Sequence, residues 1–257
     1  MRLIFLGGLC LVRLFFVALQ FLTRLHFVKQ DNWTAEDFGR STRFFPLVGL
    51  VLGCIYMAAA FLLLNYLGPS AITGTLLLIM TIALTGGLHY DGFMDTMDGL
   101  LSGRSRERML EIMKDSRVGS YGALAAMCLL LFQWSLINEL SLEQAMAGMF
   151  VMPVIGRMAM VMVIASFPYA RPEGMGKAFS EMADKKTILM AGAFTCIVVV
   201  PWGLVAISAL VIGLLTAFCF GHQACSKLGG VTGDVYGAAE LLTETAVLLV
   251  FFFSKLF

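Results

Sequence analysis

Charged residues are scarce in this sequence. They make up 14% of its 257 residues, whereas 59% of the residues are hydrophobic. A soluble globular domain carries a charge at roughly a quarter of its positions. The shortage of charge excludes an ordinary soluble domain and indicates that lipid surrounds most of the chain.

Three further absences narrow the classes of protein. The net charge is only +1, so the strong basic excess of nucleic-acid binders is missing and no nucleic-acid partner is expected. The six cysteines include no Cys-x-x-Cys pair, and neither a zinc site nor a disulfide framework is indicated. No internal repeat or soluble second domain is visible, so residues 1–257 are predicted to form one membrane-embedded helical domain.

Long apolar runs dominate what is present. A helix of about 20 apolar residues crosses a bilayer, and candidate runs occupy residues 4–22, 44–67, 69–88, 119–137, 145–167, 187–220 and 241–257. The run at 187–220 is too long for one span, and Pro201-Trp202-Gly203 predicts a turn that makes it a helical hairpin with a short first arm. We therefore predict an all-α polytopic integral membrane protein with seven or eight helical segments.

The first segment has two interpretations. Arg2, Arg13 and Arg24 recur every eleven residues, which places them on one face of a helix. That pattern fits an amphipathic helix in the plane of the membrane as well as it fits a span.

Lys and Arg residues concentrate in alternate connections. The connections at 23–43, 91–117, 169–186 and 221–240 carry most of them, whereas those at 65–69, 138–144 and 201–203 carry none. Short cytoplasmic loops are enriched in Lys and Arg. The four basic connections, which also hold the polar motifs, are therefore predicted to face the cytoplasm.

A cluster of carboxylates follows one apolar run, in GGLHYDGFMDTMDGL at residues 86–100. Asp91, Asp95 and Asp98 are at i, i+4 and i+7, so on a helix they share one face, where like charges repel. A bound cation would offset that repulsion, and oxygen ligands favour Mg²⁺ or Mn²⁺ over zinc. The alternative is a set of solvated loop charges neutralised by nearby arginines. His89 fits three roles equally: a general base, a ligand or a hydrogen-bonded interface residue.

Two other polar segments could bind phosphate. Residues 104–122 carry an arginine cluster that either binds phosphate or only fixes topology, and Asp115 there could hold a metal or orient an arginine. Residues 228–244 place acidic residues beside four glycines, which indicates a phosphate-binding turn or simply a flexible loop. Together with the carboxylate cluster, these segments indicate phosphoryl or nucleotidyl transfer at a membrane surface.

Four blocks of sequence resemble a known family: TRL at 23–25, FFPLVGLVLG at 44–53, TGGLHYDGFMDTMDGLLSGRSRERMLEIMKDSRVGSYG at 85–122, and GGVTGDVYGAAE at 229–240. They are similar to the adenosylcobinamide-GDP ribazoletransferases, also called cobalamin synthases. The resemblance extends from about residue 15 to the carboxyl end.

This resemblance implies a Mg²⁺-dependent enzyme of the bacterial inner membrane with its active site facing the cytoplasm. Such an enzyme joins adenosylcobinamide-GDP to α-ribazole or its 5′-phosphate and releases GMP, in the last steps of cobalamin synthesis. A homo-oligomer and an association with other cobalamin-synthesis enzymes both remain open. The alternative outside this class is a transporter that uses the three aspartates as a cation site, although transporter sites usually lie between repeated halves at the bilayer midplane.

The resemblance also assigns expected roles to residues. The expected catalytic residues are His89, Asp91, Asp95, Asp98 and Arg117. The expected metal ligands are Asp91, Asp95, Asp98 and Asp115. The residues expected to bind substrate are Arg24, Arg43, Arg104, Arg106, Arg108, Gly233, Asp234 and Glu244.

Overall fold

The computed structural model describes residues 2–29 and 33–256, and within these ranges the protein is helical with no β-strand. The α-helices are α1 (Arg2–Leu22), α2 (Ala35–Ser41), α3 (Phe45–Leu67), α4 (Ala71–Thr85), α5 (Leu88–Leu101), α6 (Arg106–Ile112), α7 (Ser120–Glu139), α8 (Leu142–Ser166), α9 (Met175–Met182), α10 (Lys185–Val199), α11 (Gly203–Leu228) and α12 (Gly233–Phe253). Short 3₁₀ helices occupy Thr42–Phe44, Val200–Trp202 and Ser254–Leu256. The all-α prediction is confirmed.

Five helical stretches of the described residues are long and apolar enough to cross a membrane, and α4 with α5 adds a sixth if this bent pair counts as one span. The five are Ala35–Leu67, Ser120–Glu139, Leu142–Ser166, Lys185–Leu228 and Gly233–Phe253. The polytopic prediction is therefore also confirmed. The apolar helical part Leu11–Leu22 of α1 is shorter than these spans.

The stretch Lys185–Leu228 contains a break where the sequence predicts one. Its 44 residues would extend for about 66 Å as one helix, roughly twice the hydrocarbon thickness of a bilayer. The 3₁₀ turn Val200–Trp202 and Gly203, with φ +84°, divide it into the 15-residue α10 and the 26-residue α11. The Trp202 ring packs on Phe150 of α8, with 4.8 Å between the ring centroids.

Helix α8 lies at the centre of the bundle and is buried along most of its length. Helices α3, α10, α11 and α12 pack against it. Gly49 and Gly53 of α3 form a Gly-x-x-x-Gly pair, and side chains at these positions would collide with the α8 backbone at Pro153 and Phe150. Small residues at this spacing let two membrane helices approach closely.

A sharp bend separates α4 from α5. The sequence indicates one continuous run at 69–88, but the chain turns by 89° between these helices. Gly86 and Gly87 form the bend with φ of +66° and +72°, a left-handed conformation that glycine adopts without steric cost. Because of this turn, the three aspartates occupy a helix of their own.

The last span begins earlier than the sequence indicates. It starts at Gly233, where the Thr232 side chain accepts a hydrogen bond from Val235 N, rather than at residue 241. Of the glycine-rich segment 228–244, only residues 229–232 lie outside a helix, so the expectation of a turn or flexible loop applies to those four residues alone. Asp234, Glu240 and Glu244 lie on one helix, and their relative positions follow its periodicity.

Helices α5 and α12 approach each other through glycine. A Cβ atom on Gly92 would lie 3.0 Å from the Asp234 Cα, and a Cβ atom on Gly237 would lie 3.2 Å from the His89 Cα. Both distances are tighter than ordinary van der Waals contact. The absence of side chains at these positions therefore lets the two motif-bearing helices meet.

Candidate active site

Two cavities adjoin at the start of α5. The inner cavity has a volume of about 520 Å³ and lies between α5, α8, α9 and α12. The outer cavity has a volume of about 710 Å³ and lies between α1, α2 and the bend before α5. Four residues line both cavities: Phe21, Leu88, Asp91 and Met175. Asp91 therefore borders both spaces.

The aspartates of α5 differ in their surroundings. Asp91 is exposed and Asp95 is partly exposed, and neither side chain has a hydrogen bond or ion pair within the part of the chain that the structure describes. Asp95 is subject to the negative charges of Asp234, Asp91 and Asp98 and to the positive charge of Arg171. This part of the site is rich in unneutralised negative charge.

Asp98 is buried and has two partners. Its Oδ2 accepts a hydrogen bond from Gly119 N and its Oδ1 accepts one from Gly122 N, each at 2.8 Å. These N–H groups belong to the first turn of α7, where a carboxylate is favoured by unpaired N–H groups and by the helix dipole. Asp98 therefore joins α5 to α7, and its role as a metal ligand stays a prediction.

The carboxylates do not form a compact metal cage. No three His, Cys, Asp or Glu residues among those described lie close enough together to hold a metal ion. Mg²⁺ commonly uses only one or two carboxylates together with substrate phosphates and water. Asp91 and Asp95, whose oxygens have no hydrogen-bond or ion-pair partner among the described residues, suit that smaller ligand set.

Asp234 of α12 lies across from Gly92 and is held by two donors. Arg171 donates a hydrogen bond from Nη2 to Asp234 Oδ2 at 2.9 Å, and the Thr232 hydroxyl donates to the same oxygen at 3.1 Å. Gly233, Asp234 and Arg171 all line the inner cavity. Gly233 and Asp234 are at the expected site, whereas Arg171 entered the sequence analysis only as a loop charge that fixes orientation.

A buried charge network lies behind His89. The His89 Nδ1 is 2.8 Å from Glu240 Oε2, and Arg157 Nη1 is 2.5 Å from Glu240 Oε1 and also contacts Glu244 Oε1. All four side chains are buried. His89 lines the inner cavity, and its second ring nitrogen, Nε2, has no hydrogen-bond partner among the described residues.

The sequence motifs do not include all of this network. Arg157 is a single basic residue inside the apolar run at 145–167, and an ionisable residue in a membrane span is a signal of function. Glu244, expected to bind substrate, lines neither the inner nor the outer cavity and pairs with Arg157 instead. Its side chain thus belongs to the buried charge network that contacts His89.

The predicted phosphate-binding arginines separate into two groups. Arg24 lines the outer cavity and its guanidinium lies against Gly86. The others line neither cavity: Arg43 donates to Arg40 O, Arg106 donates to Leu228 O, Arg108 pairs with Glu111, and Arg104 is exposed. Within the arginine cluster at 104–108, Arg106 therefore makes a structural contact, and Arg104 and Arg108 lie at the protein surface.

Asp115 and Arg117 bind each other at the surface. Arg117 donates from Nε and Nη2 to the two carboxylate oxygens, the shorter contact being 2.6 Å. These hydrogen bonds lower the pKa of Asp115 to about 2. Neither residue lines the inner or outer cavity, but the adjacent Lys114 lines the inner one. Their expected roles in metal binding and catalysis stay predictions.

Fold and site define the class: a polytopic helical membrane protein with a charged, cavity-bearing site between its helices. The family model described as Cobalamin-5-phosphate synthase matches residues 14–252. The chain belongs to that family, as its sequence motifs predict.

Relatives agree with this family. A protein of Desulfitobacterium hafniense (strain Y51) is 40% identical, and the alignment covers 93% of this chain and 96% of the relative. Relatives from Acetivibrio thermocellus and Klebsiella pneumoniae (strain 342) are each 37% identical; the alignments cover 91% and 93% of this chain and 95% and 99% of the relatives. All three are named adenosylcobinamide-GDP ribazoletransferase. No solved structure matches the chain.

Proposed function

We propose that this protein is an adenosylcobinamide-GDP ribazoletransferase. It joins adenosylcobinamide-GDP to α-ribazole or α-ribazole 5′-phosphate and releases GMP, which gives adenosylcobalamin or its 5′-phosphate. The observation that carries the proposal is that residues of three separate motifs meet at the two adjoining cavities: Arg24 lines the outer cavity, Asp234 lines the inner one and Asp91 lines both. A transferase with two substrates needs such adjoining spaces.

The reaction exchanges one phosphate ester partner for another. The ribazole 3′-hydroxyl oxygen forms a bond to the cobinamide-side phosphorus, while the bond from this phosphorus to the bridging oxygen breaks. The electron pair of the broken bond leaves with GMP, and the hydroxyl proton passes to a base. Phosphoryl transfer of this kind depends mainly on positioning and on neutralisation of charge.

The acidic residues suit a magnesium ion in this proposal. Asp91 and Asp95 are the residues that would hold it, because their oxygens have no protein partner among the described residues. The ion would supply positive charge to the pyrophosphate and to the departing GMP. Asp98 fixes α5 against α7, which keeps the carboxylates of Asp91 and Asp95 in a fixed orientation.

Other side chains of the site position the reactants. Arg24 binds phosphate oxygens in the outer cavity, where its guanidinium is exposed. His89 accepts the hydroxyl proton at Nε2, because Glu240 holds the opposite nitrogen, Nδ1. Arg157 forms an ion pair with Glu240 and so positions the carboxylate that contacts the imidazole.

The transporter alternative is not favoured. The aspartates lie on a helix after a sharp bend, beside cavities that α9 and α12 border, rather than between repeated halves. The similar proteins are named as transferases. We further propose that the protein resides in the bacterial inner membrane with the site at its cytoplasmic face, because the basic connections surround that site.

The test is Mg²⁺-dependent release of GMP from adenosylcobinamide-GDP and α-ribazole 5′-phosphate by detergent-purified protein. We expect turnover by wild type and a loss greater than about 100-fold in Asp95→Asn, since even residues that only support metal ligands contribute about 10 to 100-fold. Glu143→Gln is the matched control, because Glu143 is an exposed carboxylate in the first turn of α8.

The two possible failures test different claims, the metal role of Asp95 and the proposed activity. Full activity of Asp95→Asn would contradict the proposal that this carboxylate binds the metal ion. Absence of turnover by a folded wild type, with and without Mg²⁺, would overturn the proposed activity itself.

A further inference from the structure

The inner cavity has an apolar end built from aromatic rings. Phe21, Phe45 and Phe179 pack together at the cavity wall, with ring centroids 5.1 to 6.5 Å apart; Phe21 is partly exposed, whereas Phe45 and Phe179 are buried. Met160 and Ile164 of α8 line the same space. Flat apolar groups pack well against such rings, because offset and edge contacts between aromatic groups are favourable.

The other end of the cavity carries two basic side chains, Lys114 and Arg171, among the carboxylates of Asp91, Glu173 and Asp234. Lys114 is exposed at the rim, and among the described residues its ammonium group has no hydrogen bond or ion pair. Arg171 shares the rim, and its Nε is buried without a hydrogen-bond partner in the described part of the chain. Lysine and arginine side chains in this arrangement suit a phosphate group.

The cavity has the size of a nucleotide site. Pockets for drug-sized ligands span about 300 to 1,000 Å³, and a volume of about 520 Å³ falls within that range. A corrinoid carrying GDP is far larger than such a ligand. A nucleotide with an apolar aromatic base matches both the volume and the two chemically different ends.

We propose that the inner cavity is the acceptor site, in which the flat aromatic base of the ribazole nucleotide packs against the ring cluster of Phe21, Phe45 and Phe179 at its exposed edge, Phe21, and its 5′-phosphate lies beside Lys114 and Arg171. This assignment rests on the proposed function. It directs the ribose between the two ends, near Asp91, which borders both cavities. The outer cavity with Arg24 then receives the pyrophosphate of the second substrate.

The first test separates phosphate recognition from general binding. KM is measured for α-ribazole 5′-phosphate and for α-ribazole in wild type, Lys114→Ala and the control Lys186→Ala, whose exposed lysine lines neither cavity. We expect Lys114→Ala to raise KM for the phosphorylated acceptor at least about tenfold and KM for α-ribazole less than about twofold, since hydrogen bonds to charged groups contribute about this much. An equal change for both acceptors, or no change, would overturn the phosphate assignment.

The second test addresses the apolar end. Phe179→Leu removes a ring of the cavity, and we expect KM to rise in parallel for both acceptors, by about three to tenfold. Phe253→Leu, on an exposed ring of α12, is the matched control. If Phe179→Leu melts as wild type does and its KM values are unchanged, the base does not bind at this end of the cavity.

Direct binding keeps the assignment testable apart from catalysis. Titration of purified protein with α-ribazole 5′-phosphate in a calorimeter should show binding that weakens in Lys114→Ala and Phe179→Leu. If wild type binds this nucleotide, the two variants bind it more weakly and wild type releases no GMP, the proposed function fails and the cavity assignment stands. If wild type turns over but these variants bind as wild type does, the cavity assignment fails alone.

Discussion

Asp91 and Asp95 of α5 have no ion-pair partner among the described residues, whereas Glu240 and Glu244 of α12 both contact Arg157. The α5 side chains are at least partly exposed, while those of α12 are buried. Removing a carboxylate from water is costly unless a positive charge compensates for it. Charges deep in the bundle therefore serve its structure, and the unpaired charges at the cavities are available for a ligand.

The largest test of this comparison removes the buried cation. Arg157→Met leaves two buried carboxylates without their partner, and we expect a loss of about 3 to 5 kcal/mol in the free energy of unfolding. Thermal melting in detergent measures the loss, and Arg157→Lys, which keeps the charge, should lose less. Wild-type melting of Arg157→Met would show that the network does not stabilise the bundle.

A smaller test compares two aspartates of the same helix. Asp98→Ala removes both acceptors of the Gly119 and Gly122 N–H groups, and we expect a loss of about 2 to 3 kcal/mol. Asp95→Ala should change the free energy of unfolding by less than about 0.5 kcal/mol, because its carboxylate has no hydrogen-bond or ion-pair partner in the part of the chain that the structure describes. Equal losses of melting temperature would contradict the distinction between an anchoring and an available carboxylate.

Gly122→Ala approaches the Asp98 contact from its other side. A Cβ atom at Gly122 would lie 2.9 Å from the Asp98 Cγ and would also press on Met94 O, so this variant should melt below wild type as Asp98→Ala does. If only the aspartate variant is destabilised, the loss comes from Asp98 itself and not from its contact with α7.

The smallest effect is expected at the surface pair Asp115 and Arg117. Arg117 lowers the pKa of Asp115 from 3.8 to about 2 in the folded protein. The ion pair therefore stabilises the folded state at pH values above 3.8, the pKa of Asp115 in the unfolded chain, and this stabilisation is lost as the pH falls toward 2. The difference in melting temperature between wild type and Asp115→Asn should be small and constant from about pH 7 to pH 5 and decline below about pH 4. A difference that grows at low pH would contradict this sign.

The sequence by itself determined the membrane class, the approximate positions of most helical spans, the turn at Pro201-Trp202-Gly203 and the helical face shared by Asp91, Asp95 and Asp98. These features follow from hydropathy and from the 3.6-residue period, which depend on neighbours along the chain. The motifs also identified the family.

The tertiary structure alone decided how these motifs meet. It brought His89 to Glu240, Arg171 to Asp234, and Asp98 to the start of α7, although the partners in each pair lie far apart in the sequence. It also turned α5 by 89° away from α4 and moved Glu244 away from the cavities to Arg157. Such pairings depend on which helices pack together. Here α5 and α12 approach closely at Gly92 and Gly237, because neither residue has a Cβ. That feature has no consequence along the chain and acts only when the two helices are in contact.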